Sequence, residues 1–136
     1  MKTMMTLFAA AALFAITSAT ALGHHSFAMF DQTRKVTIEG VVARVQWTNP
    51  HVWVEVDVPG EDGSTVRWGI EFTSVVHLTR RGMTMDMVQV GDPVEFSVSP
   101  YANGSPGGRF YWVKLAGGQY YCDVGAAQSM CQANND

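Results

Sequence analysis

The sequence predicts an all-β fold, a small barrel of five strands with one short helix. Three observations carry this expectation. Runs of alternating apolar and polar residues recur along the chain, the first of them long and out of phase at a glycine. One short stretch changes to helical spacing, and it falls between the third and fourth runs. Segments rich in Gly, Pro, Asn, Asp and Ser separate the runs, as turns require.

The first strand is expected over Arg34 to Trp47. Val36 and Ile38 alternate, then Val41, Ala43, Val45 and Trp47 continue on a shifted phase. Gly40 sits at the slip, which reads as a bulge or sharp bend in a long strand. After "TNP", His51 to Val58 forms the second strand, with Val52, Val54, Val56 and Val58 on one face. His51, Trp53, Glu55 and Asp57 share the other. "PGEDGS" turns the chain into a third strand, Thr65 to Phe72. In "TSVVHLTRRGM", Thr73 or Ser74 caps one or two helical turns striped by Val75, Val76, Leu78 and Thr79, and Gly82 ends them. A Gly91-Asp92-Pro93 corner leads into the fourth strand, Val94 to Val98. The fifth is expected over Arg109 to Tyr121. Three strands, a helix and two strands, with the first strand bent, suggest a Greek-key barrel of the OB type, the bend letting one strand serve both halves. A β-sandwich is the alternative, because periodicity does not give strand order.

The ends of the chain bear on compartment. Lys2 is followed by an apolar stretch of small residues with no charge until Asp31. This is the pattern of a secretory signal peptide over residues 1–23. Cleavage after Ala19-Thr20-Ala21 would expose Leu22, and cleavage after Ala21-Leu22-Gly23 would expose His24. No second apolar run follows, so no stable membrane anchor is expected after cleavage. The expected location is the periplasm or the exterior. Without Lys2 the chain holds eight Lys and Arg against twelve Asp and Glu. With no basic run, nucleic acid is not an expected partner. Residues 24–118 suffice for one domain, an N-terminal arm followed by the barrel. Residues 119–136 form a tail in which Cys122 and Cys131 are expected to close a disulfide; a soft-metal pair is the competing reading.

Four histidines concentrate the candidate chemistry: His24, His25, His51 and His77. If His24 becomes the N-terminus, its α-amine and ring chelate one metal together. A further histidine completes a three-nitrogen set suited to copper(II). His25 offers a second mode through the terminal amine, the amide nitrogen and its ring. His51, opening a strand after "NP", is the further candidate; its structural alternative is a hydrogen bond to the turn. His77 lies beside Arg80 and Arg81 and is expected to be solvated. No G-x-S-x-G motif and no phosphate loop occurs. Glu55, Asp57, Glu61, Glu71 and Glu95 are scattered, and are expected on exposed faces rather than as paired acids. Trp47, Trp53, Trp68 and Trp112 are expected to pack the barrel or cover its ends, with an aromatic ligand groove as the alternative.

The stretches "HHSFAMFD", "VTIEGVVARVQWTNPHVWVEV", "RWGIE", "LTRRGM", "VGDPVEFSVSP" and "GGRFYWVKLAGGQ" together resemble a family of small exported bacterial proteins, catalogued as domain of unknown function 6152. The resemblance runs from His24 to about Gly118. It implies cleavage before His24, since the histidine pair in that family tends to follow the signal directly. The family's two histidine motifs fall on His24, His25 and His51, and His77 is on neither. The tail from Tyr120 departs from the pattern. No mechanism comes with the resemblance.

The resulting expectation is an exported, non-enzymatic protein that binds a transition metal, copper foremost, through His24, His25 and His51. The arm would fold back toward the turn before His51, pinned by the buried rings of Phe27 and Phe30. The alternative is an interaction module that binds an envelope protein or glycan through its tryptophans.

Overall fold

The computed structural model of the protein describes residues 27–123 and Cys131; the expected signal peptide, His24 and His25 lie outside the described residues. A single 3-10 turn, Phe27–Met29, precedes β1 (Val36–Gln46), β2 (Trp53–Pro59) and β3 (Thr65–Glu71). Then follow α1 (Val75–Arg80), β4 (Pro93–Pro100), β5 (Gly107–Leu115) and β6 (Tyr120–Cys122). The strands form one sheet in the order β3-β2-β1-β4-β5-β6. Antiparallel ladders join all these neighbours, and β3 also pairs with β5 in parallel, Gly69 opposite Gly107. That last pairing closes five strands into a mixed barrel of the OB type and rules out the sandwich, leaving β6 as an addition to β5.

The alternation in β2 does what its pattern requires: Val52, Val54 and Val56 are buried, and Trp53, Glu55 and Asp57 lie on the outer face. Ile38, Val42, Ile70, Val98 and Val113 join them inside. The centre of the core is a phenylalanine trio. Phe72 and Phe110 stack at 4.0 Å, and Phe96 meets both edge-on at 6.0 and 6.1 Å. Each such ring contributes about 1.5–3 kcal/mol by burial alone. The four tryptophans are half-buried at the flanks, with Trp47 and Trp68 packed against the core from its edge.

Gly40 works differently from a bulge. Residues 36–41 of β1 pair with β4, while residues 41–46 pair with β2, so Gly40 precedes the change of partner. A Cβ there would run into the backbone of Asp57 and the side chain of Val56. The bend needs room for a crossing strand, and glycine provides it. The register shifts themselves fall between Val42 and Arg44 and between Ser97 and Val98.

The strand expected over residues 109–121 is a hairpin. β5 ends at Leu115, the chain turns through Gly117 and Gly118, and the Leu115 amide donates to the Gln119 carbonyl at 2.9 Å. Ser74 caps α1, accepting from the His77 amide at 3.5 Å. Of the expected helical stripe only Leu78 is buried; Val76 faces solvent. Leu78, with Met83 and Val88 from the connection to β4, covers one end of the core.

The ends of the described chain are fastened by different means. Phe30 is buried and stacks on Tyr101 at 5.2 Å, and the Asp31 amide donates to the Pro100 carbonyl at 2.8 Å. Phe27 does not bury its ring as expected. It lies 55% exposed with the Arg109 guanidinium 4.7 Å over its face, a cation–π contact that exposure permits. At the other end Cys122 and Cys131 stand at bridging separation, Cα to Cα 6.2 Å. Beside them Asp123, with its side chain only 8% exposed, accepts from Arg81 at 2.6 Å and Arg109 at 2.8 Å.

Candidate functional site

The turn before β2 is tied to the helix. Asn49 Oδ1 accepts from the Val75 amide at 3.2 Å, so the first turn of α1 and the β1–β2 turn hold each other in place. The Asn49-Pro50 peptide is cis. Beyond it the ladder resumes: the Val52 amide donates to Thr73, and the Phe72 amide donates to Val52. With Val52 pointing into the core, His51 must point out, on the same face as Trp53.

Trp53 pairs with Glu71 across the β2–β3 ladder, which places His51 and Glu71 as diagonal neighbours on that face. Their side chains meet. His51 Nδ1, sealed from solvent, faces Glu71 Oε1, and the two side chains are 27% and 15% exposed. A carboxylate at Nδ1 favours the tautomer with its proton there and its lone pair on Nε2. The acid expected on an exposed face is therefore a paired acid.

Tyr101 joins the cluster from the end of β4. Burial raises its phenol above the ordinary 10.0, and the negative charge of Glu71 raises it further. Tyr101 also carries the arm: Phe30 bridges to it, and the Ala102 amide donates to the Met29 carbonyl at 2.9 Å. Met29 thereby lines the same recess as His51. That recess, about 360 Å³, is completed by Gln46, Thr48, Asn49, Pro50, Trp53 and Glu71.

Of the residues singled out from the sequence, His51 is in this recess, while His24 and His25 lie outside the described residues. His77 is exposed, its Nδ1 3.3 Å from both the Thr73 and Ser74 hydroxyls, and takes no part. Cys122 and Cys131 serve the tail. Glu71 was expected only as an exposed-face acid, and Tyr101 and Met29 were not singled out. The strand register was the signal for Glu71, since a hairpin that turns between Pro59 and Thr65 brings the start of β2 opposite the end of β3. Nothing local marks Tyr101 or Met29. Among the described residues no group of three His, Cys, Asp or Glu side chains gathers to hold a metal, and no helix is long and apolar enough to cross a membrane.

Two other recesses differ in character. One, about 490 Å³, lies between Gly40, Pro59, Pro93, Glu95, Lys114 and Ala116 and contains no histidine, cysteine or methionine. The other adjoins Trp53 and is lined by Gln46, Glu55, Arg67 and Gly69.

Comparison with protein-family models gives a match over residues 12–110 to one described as a family of unknown function (DUF6152). No curated protein and no solved structure matches the chain.

Proposed function

The chain belongs to the family DUF6152, and from that premise we propose that it is an exported, non-enzymatic protein that binds copper through His24, His25 and His51. One observation carries the reading: His51 stands against Glu71 in a recess whose wall includes Met29. Met29 follows His25 by four positions, and four residues reach at most about 14 Å when extended. In this reading the arm brings the N-terminal histidines to His51. Glu71 supplies what metal-binding imidazoles ordinarily have, a carboxylate on the other ring nitrogen. The leader-like first residues and the bridging cysteine pair support export to an oxidising compartment.

In this reading the terminal amine and ring of His24 chelate copper(II), His51 completes the nitrogen set through Nε2, and His25 offers the alternative amide mode. The role is carriage, storage or delivery of the metal. The test is the intact mass of the protein secreted with its own leader, followed by copper(II) titration of the same sample. The expected mass begins at His24, with one tight equivalent that His51→Ala removes. Binding should weaken below about pH 6, because protons compete for the imidazoles. A mass beginning at Leu22 would remove the amine chelate. Absence of tight copper would move the interaction module, with half-buried Trp53 as its first contact residue, into first place.

A further inference from the structure

We propose that the recess also binds monovalent copper, with Met29 Sδ and His51 Nε2 as ligands and the Trp53 indole as the wall beside the ion. The proposal rests on the copper reading above and adds to it an oxidation state and a ligand.

Met29 is held firmly by its backbone and hardly at all by its side chain. Its carbonyl accepts from Ala102, its neighbour Phe30 is buried, and Asp31 is bonded to Pro100. Yet Met29 is 47% exposed, so it contributes little to the core. Met83 and Met87, by contrast, have internal work. Met83 is buried, and Met87 Sδ accepts from the Thr84 amide at 3.3 Å. Met29 instead forms part of the wall that holds His51, Trp53 and Glu71.

That combination is chemically selective. A thioether is a soft, neutral ligand, and soft sulfur donors select copper(I) over harder divalent ions. Copper(I) accepts low coordination numbers, so one thioether and one imidazole make a workable pair. Glu71 at Nδ1 orients the imidazole. The indole of Trp53 offers a cation-attracting face and screens the ion from water. Copper(II), by contrast, gains little from a thioether and draws on the nitrogen set at the N-terminus.

The experiment is a pair of titrations on the secreted protein. Ascorbate-reduced copper is titrated anaerobically against the chromophoric chelator bicinchoninate, and copper(II) is titrated separately. The variants are Met29→Leu, His51→Ala and, as a control on another exposed methionine, Met85→Leu. Thermal melts check that each variant is folded. Met29→Leu should weaken copper(I) by about tenfold or more while changing copper(II) by less than about threefold. His51→Ala should weaken both, and Met85→Leu neither. Quenching of tryptophan fluorescence by copper(I) should disappear in Trp53→Phe. If Met29→Leu binds copper(I) normally while copper(II) stays tight, the thioether ligand is wrong and the copper reading stands. If Met29→Leu loses both ions equally, the residue only positions the arm and the proposal is overturned. If the unaltered protein binds neither ion, both readings fall together.

Discussion

Two acid–base pairs share one face of β2 and β3, and they are built for different ends. Near the β2–β3 turn, Arg67 donates twice to Asp57, each bond 2.9 Å, and reaches toward Glu55 at 3.6 Å; Arg44 adds a contact to Glu55 at 3.3 Å. The arginines stand in solvent, Arg44 62% and Arg67 56% exposed, over half-buried acids. At the opposite end of the same strands, His51 and Glu71 are recessed under the arm. The first set is a ladder of permanent charges, screened by salt and of small consequence for stability. The second couples a titratable base to a covered acid, where removing either partner is felt by the other. Position along one hairpin, rather than residue class, separates a solvated decoration from a candidate site.

The largest expected effect is on metal affinity. Glu71→Gln should weaken copper(II) binding by about 10–100-fold, as loss of an orienting carboxylate does. Arg67→Gln should change it by less than about twofold, because an exposed pair contributes little. Competition titration of the two variants side by side is the check, and equal losses would erase the distinction between the pairs.

A smaller effect should appear at Tyr101. Its phenol titrates above 10.0, chiefly from burial and secondarily from the charge of Glu71. Glu71→Gln should bring the titration down without returning it to the ordinary value. Following phenolate absorbance against pH in both proteins measures this. A phenol that binds its proton more tightly when folded stabilises the fold fully below pH 10.0, and that contribution is lost as pH rises through the folded value. An unmoved titration would mean that the two groups do not sense one another.

The smallest effect belongs to the exposed ladder. The Arg67 hydrogen bonds hold the Asp57 carboxyl below its ordinary 3.8. Its contribution is therefore present above pH 3.8 and lost as pH falls through the lower folded value. Acid denaturation of Arg67→Gln should lack this small segment of pH dependence, and added salt should blunt it in the unaltered protein.

The barrel was largely legible in the sequence because its cause is local. Val52, Val54 and Val56 advertise a buried face by alternation alone, and Ser74 and Gly82 mark the ends of a short helix by their backbone preferences. Gly40 was recognisable as a bend, although its reason is the approach of β2 and not an inserted residue. The β5–β6 hairpin was missed because apolar residues continue on both sides of Gly117 and Gly118. The site was half legible. His51 stands out by residue type, but Glu71 acquires its role only once β2 and β3 are in register. Tyr101 and Met29 acquire theirs only when the arm lies on the end of β4. Alternation says which way a side chain points, never what it will meet there.

The parallel seam between β3 and β5 has a consequence for how the molecule assembles. Gly107 and Gly108 lie so close to the opposing main chain that a Cβ on either would strike Gly69 or Ser99. Two of the three β5 residues in the seam are glycines, and the whole of α1 and β4 separates the two partners along the chain. Hairpins β1–β2–β3 and β4–β5 can form from near neighbours, whereas the seam, like the β1–β4 ladder, joins segments distant along the chain. The recess borders that seam: Glu71, which holds His51, is itself the residue opposite Arg109.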